Sequence, residues 1–204
     1  MKIRILLLLV AILPFYALAE DNPSQILEKA VAKVSSAKGL KSSFNISGKA
    51  MSNMSGTFEG TGRKFKLTLP GSITWYDGKQ MWTSNQSSKQ ITLVSPTAQE
   101  INEVNPFAYL NSYKGKYNVY FSKRKDANRY LVVLNPKNSN DAVKAVEIAI
   151  NKKTMLPERF IIRDRNDNRS TISISSLSLN NAYNEAFFSC PLEKMKDYEL
   201  VDLR

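Results

Sequence analysis

FEGTGRKFKLTLPGSITWYDGKQMWTSNQSSKQITLV, residues 58–94, decides the fold class by its alternation. Phe65, Leu67 and Leu69 alternate with polar residues, as do Ile73 with Trp75 and Ile91 with Leu93. A period of two gives each strand one apolar face and one polar face. Asp77-Gly78 stands between two such runs, a strong hairpin signal, and both tryptophans of the chain, Trp75 and Trp82, flank it. Strands are expected over 57–69, 72–76, 79–84 and 89–94, with the glycines of the Gly56, Gly60, Gly62 series read as bulges.

Upstream, DNPSQILEKAVAKVSSAKG (21–39) reads as a helix. Asn22 caps it, Pro23 suits its first position, and Gly39 is expected to end it with positive φ. Ile26, Leu27, Ala30, Val31 and Val34 form one apolar stripe, so the helix lies on something apolar. A strand follows from 40 to 49, with Phe44 and Ile46 on one face, and 51–56 reads as a turn. Downstream the pattern breaks at Ser95. Residues 96–101 and 105–110 read as two short helices, the second opened by Asn105-Pro106 as cap and first helical position. Phe107, Leu110 and Ile101 supply an apolar face. Alternation resumes with Tyr117, Val119 and Phe121; Tyr130 to Leu134 is a continuous apolar strand, Val146, Ile148 and Ile150 alternate again, and Phe160 to Ile162, Ile172 with Ile174, and Leu177 with Leu179 complete the set. The strand count is near eleven, too many for one flat sheet, so strong curling is expected. The spacing excludes βαβ units and points to an all-β sheet or barrel. The helices would lie over one side of it, as a plug or as a lid.

Residues 1–19 carry a basic start (Lys2, Arg4), an apolar run over 5–13 and Ala17-Leu18-Ala19, a signal peptide cleaved after Ala19. The run is shorter than the roughly 20 residues a bilayer requires. The expected product is therefore exported to the periplasm, with residues 20–204 forming a single domain. Without Lys2 and Arg4 the chain keeps 27 basic against 18 acidic residues, a net charge of +9. That charge favours anionic partners such as acidic protein surfaces or lipid headgroups. Nucleic acid is not expected, since no binding motif is present. The single cysteine, Cys190, forbids an internal disulfide and reads as a small buried hydrophobe.

Histidine is absent. This removes Ser-His-Asp and Cys-His catalysis and the usual zinc sites. No phosphate-binding glycine loop is present. Asp164 and Asp167 fall in a charged turn over 163–169 and read as a solvated hairpin tip rather than an acid–base pair. No enzyme, metal or cofactor is expected. What remains is apolar surface: nine Phe, nine Tyr and two Trp. Periodicity alone leaves a filled core and a ligand cavity equally open.

An ordered set of features runs the length of the mature chain. An amphipathic helix leads into Ser43-Phe44, followed by Phe58-Glu59-Gly60-Thr61-Gly62, Pro70, Trp75, Asp77-Gly78-Lys79 and Trp82. Asn105-Pro106-Phe107, the apolar strand ending at Pro136-Lys137, the Asn168-Arg169-Ser170 turn, Phe187-Phe188 with Pro191, and Val201-Asp202-Leu203-Arg204 complete it. In this order the features resemble the periplasmic lipoprotein carriers of the LolA type. The resemblance implies a half-open, unclosed antiparallel β-barrel of about eleven strands with an α-helical lid. It implies a monomeric carrier that shelters the acyl chains of lipoproteins, or other acyl lipids, between an inner-membrane transporter and an outer-membrane acceptor. The lining residues it would use are Phe44, Phe58, Phe65, Leu67, Trp75, Trp82, Ile91, Phe107 and Leu110, with the tryptophans expected to report on uptake. Arg63 and Lys64 are assigned to lid or headgroup contacts. The sequence departs from the family in one place: Leu69 precedes Pro70 where an arginine commonly helps to hold the lid. That departure suits a LolA-like paralogue, binding another lipid or sensing mislocalised lipoproteins, as an alternative.

Overall fold

A computed structural model describes residues 21–48, 51–105 and 107–204. The signal peptide, the end of the first strand at Lys49 and the Pro106 helix start lie outside the described residues. The helix α1 (Pro23–Ser35) begins as its sequence dictates: the Asn22 side chain accepts the Ser24 N–H at 2.9 Å, ahead of Pro23. It buries Ile26, Leu27, Ala30 and Val34.

Twelve strands follow: β1 (Leu40–Gly48), β2 (Met51–Thr61), β3 (Lys64–Leu69), β4 (Ser72–Tyr76), β5 (Met81–Asn85), β6 (Gln90–Val94), β7 (Tyr117–Phe121), β8 (Arg129–Pro136), β9 (Val143–Asn151), β10 (Pro157–Asp164), β11 (Arg169–Leu179) and β12 (Glu199–Asp202). Between β6 and β7 stand α2 (Ala98–Val104) and α3 (Ala108–Ser112). Among the described residues one sheet holds all twelve strands, in the order β12-β6-β5-β4-β3-β2-β1-β11-β10-β9-β8-β7, with no pairing between its two ends. Neighbours are antiparallel except β12, which runs parallel to β6. Helix α1 packs against the β7–β8 end of this sheet and against α3.

Three readings from sequence are corrected. Residues 51–56 are strand, not turn: β2 starts at Met51 and pairs with β1. The expected single strand over 57–69 is a hairpin, because Gly62 adopts φ +56° and reverses the chain between β2 and β3. Residues 172–179 form one strand, β11, with a bulge opposite Ser43 and Phe44. The turn at Asp77-Gly78 is present, with Gly78 at φ +99° and the Asp77 carboxylate accepting the N–H groups of Lys79 and Gln80.

The sheet is strongly curled, and Phe107 shows it. This ring lies 5.2 Å from that of Phe58 on β2 and 5.8 Å from that of Phe160 on β10. Those strands are three spacings apart in the sheet, about 14 Å if it were flat. One ring touching both requires the sheet to wrap around it. The result is an unclosed half-barrel with helices inside its concave face.

Candidate functional site: a lidded apolar trough

Cross-strand register assigns every strand side chain to a face. Phe44, Phe58, Phe65 and Leu67 point into the concave side, together with Val132, Leu134, Val146, Ile148, Ile150 and Phe160. Helix α1 and the segment carrying Phe107, Tyr109, Leu110 and Tyr113 press down on this floor and belong to the same apolar cluster. Six of the nine residues assigned to the trough from sequence therefore meet there: Phe44, Phe58, Phe65, Leu67, Phe107 and Leu110.

The other three do not. Trp75, Trp82 and Ile91 stand on the convex face, where they form a second cluster with Leu93 and Cys190. Trp75 pairs with Trp82, and Trp82 with Leu93, all one residue out of phase with inward-facing Tyr76 and Met81. A one-residue difference in register reverses every side chain. This convex cluster is covered by the chain's own C-terminal segment. Two 3-10 turns (Glu185–Phe188 and Leu192–Lys194) fold over it, with Met195 and Tyr198 packed against it. Lys66 lies 4.8 Å from the Phe187 ring, and the Lys64 ammonium is ion-paired with Glu185 of this outer cover, while Lys64 also borders the cavity beside Phe58 and Phe107.

Cys190 is buried in that cluster, and desolvation pushes its thiol up to about 11. Two pK units above the ordinary value leave about a hundredfold less thiolate at about pH 8. Alkylation of the folded protein by iodoacetamide is therefore expected to be slower by that factor than of the urea-unfolded chain, rising only as pH approaches 11. Fast labelling of the native protein would show that the C-terminal cover lifts off.

The lid is graded in its anchoring. Phe107, Ala108, Tyr109, Leu110 and Tyr113, in and around α3, are all buried. Helix α2, by contrast, packs on the same cluster only through half-buried Ile101 and Val104, with no fully buried side chain among its described residues, although Thr97 and Glu100 form a capping box at its start. Cavities surround it. One of about 180 Å³ lies between α2, Arg63, Tyr76 and Ala108. Another of about 320 Å³ opens between Val34, Leu40, Phe58, Arg63, Asn105 and Phe107. A third, about 610 Å³ and more polar, lies between the start of α2, Lys116, Tyr117 and the β8–β9 connection. Burial, and secondarily Asp141, push the Tyr117 phenol up to about 12, so it is neutral at that mouth.

Arg63 lies beside two of these cavities, exposed at the mouth, and enters no ion pair among the described residues. Leu69 packs against the core, its methyl 2.7 Å from where a Cβ on Gly56 would stand. Two hydroxyls in the interior, of Ser42 and Tyr113, are buried with no hydrogen-bond partner among the described residues. Asp164 and Asp167 are structural: Asp164 accepts from Asn166 and Asn168, and Asp167 from Lys144. Among the described residues there is no cluster of potential metal ligands, and no helix long and apolar enough to cross a membrane.

The chain resembles known structures across most of its length. An uncharacterized conserved protein from Thermus thermophilus superposes with a TM-score of 0.60 at 14% identity, covering 88% of this chain and 98% of that one. A DUF1329 family protein from Desulfovibrio piger superposes with a TM-score of 0.51 at 12% identity, covering 83% and 98%. At these identities the likeness is one of fold. No curated protein sequence matches. The family described as outer membrane lipoprotein carrier protein LolA matches residues 13–166, a span that includes α1, α2, α3 and the strands up to β10. The segment covering the convex tryptophans lies beyond the match. The unclosed sheet, its helix-filled concave face and this match over most of the sequence agree, and the chain belongs to the LolA outer membrane lipoprotein carrier family.

Proposed function

We propose that the chain is a non-enzymatic periplasmic carrier that holds the acyl chains of lipoproteins in its concave face and passes them from the inner to the outer membrane. The observation that carries this reading is the graded lid: a continuous apolar floor lies under α1 and α3 with their fully buried side chains, while α2 rests between cavities on half-buried Ile101 and Val104 alone among its described residues. An acyl chain gains about 0.8 kcal/mol per methylene removed from water, so crossing an aqueous compartment requires such a floor. Exchange requires a part of the cover that moves at little cost, and α2 supplies it. The Ser42 and Tyr113 hydroxyls, unpartnered among the described residues, give an otherwise apolar trough two groups suited to the ester or amide oxygens at the head of an acyl chain. Delivery would be completed by an inner-membrane transporter and an outer-membrane acceptor, after removal of residues 1–19 as a signal peptide; residues 20–204 act as one domain.

Titration of the purified protein with a fluorescent fatty acid is expected to saturate at one probe per chain or a small whole number. Tryptophan emission is expected to stay unchanged, because both tryptophans face away from the trough, whereas Phe58→Trp places a reporter on its floor. If neither the probe nor a triacylated peptide binds, and no acyl lipid co-purifies, carriage is wrong. Leu69 in place of the family's usual arginine favours a second reading, a paralogue carrying another lipid or sensing mislocalised lipoproteins. Mass spectrometry of the co-purifying lipids separates the two.

A further inference from the structure

The convex face is treated differently in its two halves. Over β3–β6 it is covered by residues 183–198 of the chain itself. Over β7–β11 it holds instead an open groove of about 520 Å³. Its floor is made by Val133 and Ile161, with the Glu147 side chain between them as the direct cross-strand partner of both. Arg163 and Arg169 stand on one side as direct cross-strand partners. Like charges placed opposite one another destabilise a ladder, and neither arginine has an ion-pair partner among the described residues. The other side carries Tyr120, which is 52% exposed, and Lys123. The one acid of the groove, Glu147, is already neutralised by Arg124. The groove thus has two apolar side chains flanking a neutralised carboxylate in its depth, an aromatic ring on one rim and uncompensated positive charge.

The covered half shows what such a surface accepts. There the convex-face cations of β3 are met by an irregular segment, with Glu185 on Lys64 and Phe187 beneath Lys66. We propose that the groove over β7–β11 receives an extended acidic segment of a partner protein that also carries an aromatic residue. Carboxylates of that segment pair with the Arg163 and Arg169 guanidinium groups, which present forked donors suited to them. Its aromatic side chain lies against Tyr120 above the Val133 and Ile161 floor. A flat anionic bilayer would reach the rim cations but not that floor, so a peptide fits the geometry better than a membrane. The site is separate from the acyl trough on the opposite face.

The test uses a fluorescein-labelled peptide of mixed glutamate and phenylalanine, followed by anisotropy at low salt. Binding is expected, weakening as salt rises. The double variant Arg163→Glu/Arg169→Glu should lose roughly tenfold or more in affinity, given what hydrogen bonds between charged groups contribute. Arg163→Gln/Arg169→Gln should fall between, which keeps the result readable if charge reversal harms folding. Lys194→Glu/Lys196→Glu changes the net charge equally at a distance and should leave binding intact. Fatty-acid uptake should be the same in all of them. Failure of the wild type to bind the peptide, equal loss in the Lys194/Lys196 control, or insensitivity to Arg163 and Arg169 would each overturn the proposal. So would arginine-dependent sedimentation with phosphatidylglycerol-containing vesicles in the absence of peptide binding, which would reassign the face to a membrane.

Discussion

Phe160→Ala is expected to lower the stability of the folded chain by about 3–5 kcal/mol, the usual range for deleting a buried aromatic ring. Small and medium domains have about 5–15 kcal/mol in total, so a single change takes a large share. The position explains why the loss should fall at the upper end. Phe160 is completely buried on β10, between Ile148 and Ile172 on the adjacent strands. Both neighbours are held by their own ladders, so the site has little room to collapse around the space left behind. The ring also meets Phe107 edge-on, at 5.8 Å and 73°. That contact ties the lid to the far side of the half-barrel, opposite Phe58. Urea melts of Phe160→Ala, Phe107→Ala and the double variant measure both terms. A coupling of about 0.5–1.5 kcal/mol is expected for the aromatic pair beyond simple burial. A Phe160→Ala protein as stable as wild type would mean that the concave face is loosely filled, and that Phe107 does not hold the lid down.

Most of this architecture is legible in the sequence, and the parts that are not share a physical cause. The alternation of β1, β3 and β7 groups their apolar residues on one face because the other face of these strands is largely polar or exposed. In β4 and β5 both faces are buried. Thr74, Trp75 and Tyr76 are consecutive and all nearly inaccessible, as are Met81 and Trp82. Alternation then marks a strand without saying which side is inside, and the larger rings draw the trough assignment to Trp75 and Trp82. What puts them outside is the C-terminal segment, whose 3-10 turns have no apolar period; Phe187-Phe188 and Cys190 are its only signals. Strand β12, four residues long and parallel at an edge, is too short to show alternation. Arg163 and Arg169 read as the charged flanks of a turn. Only the β10–β11 register reveals that they face each other.

Gly39→Ala and Gly39→Asn are both expected to destabilise by about 1–3 kcal/mol or more, as overpacking does, and to about the same extent. The expectation from sequence is different: a glycine just past a helix suggests a left-handed residue, where asparagine is a fair substitute. The helix actually ends at Ser35 with Ser36 as its cap, and Gly39 does not have positive φ. Its role is close approach. A Cβ there would stand 2.4 Å from the Asn181 carbonyl oxygen and 3.0 Å from the Tyr183 ring. The Gly39 carbonyl meanwhile accepts the Asn181 N–H at 3.0 Å, and the Tyr183 hydroxyl donates to the Leu40 carbonyl at 3.1 Å. These contacts fasten the start of the C-terminal segment to the beginning of β1, and any side chain must push the backbone of that segment away. Gly71 provides the contrast. It has φ +76° and open space where a Cβ would stand, so conformation alone matters there and Gly71→Asn should be tolerated better than Gly71→Ala. Thermal melts of the four variants separate the two causes. Rescue by asparagine at residue 39 would mean that conformation, not contact, selects glycine there. Equal loss, accompanied by faster alkylation of Cys190, would show that the segment over the tryptophans is held from its first residues.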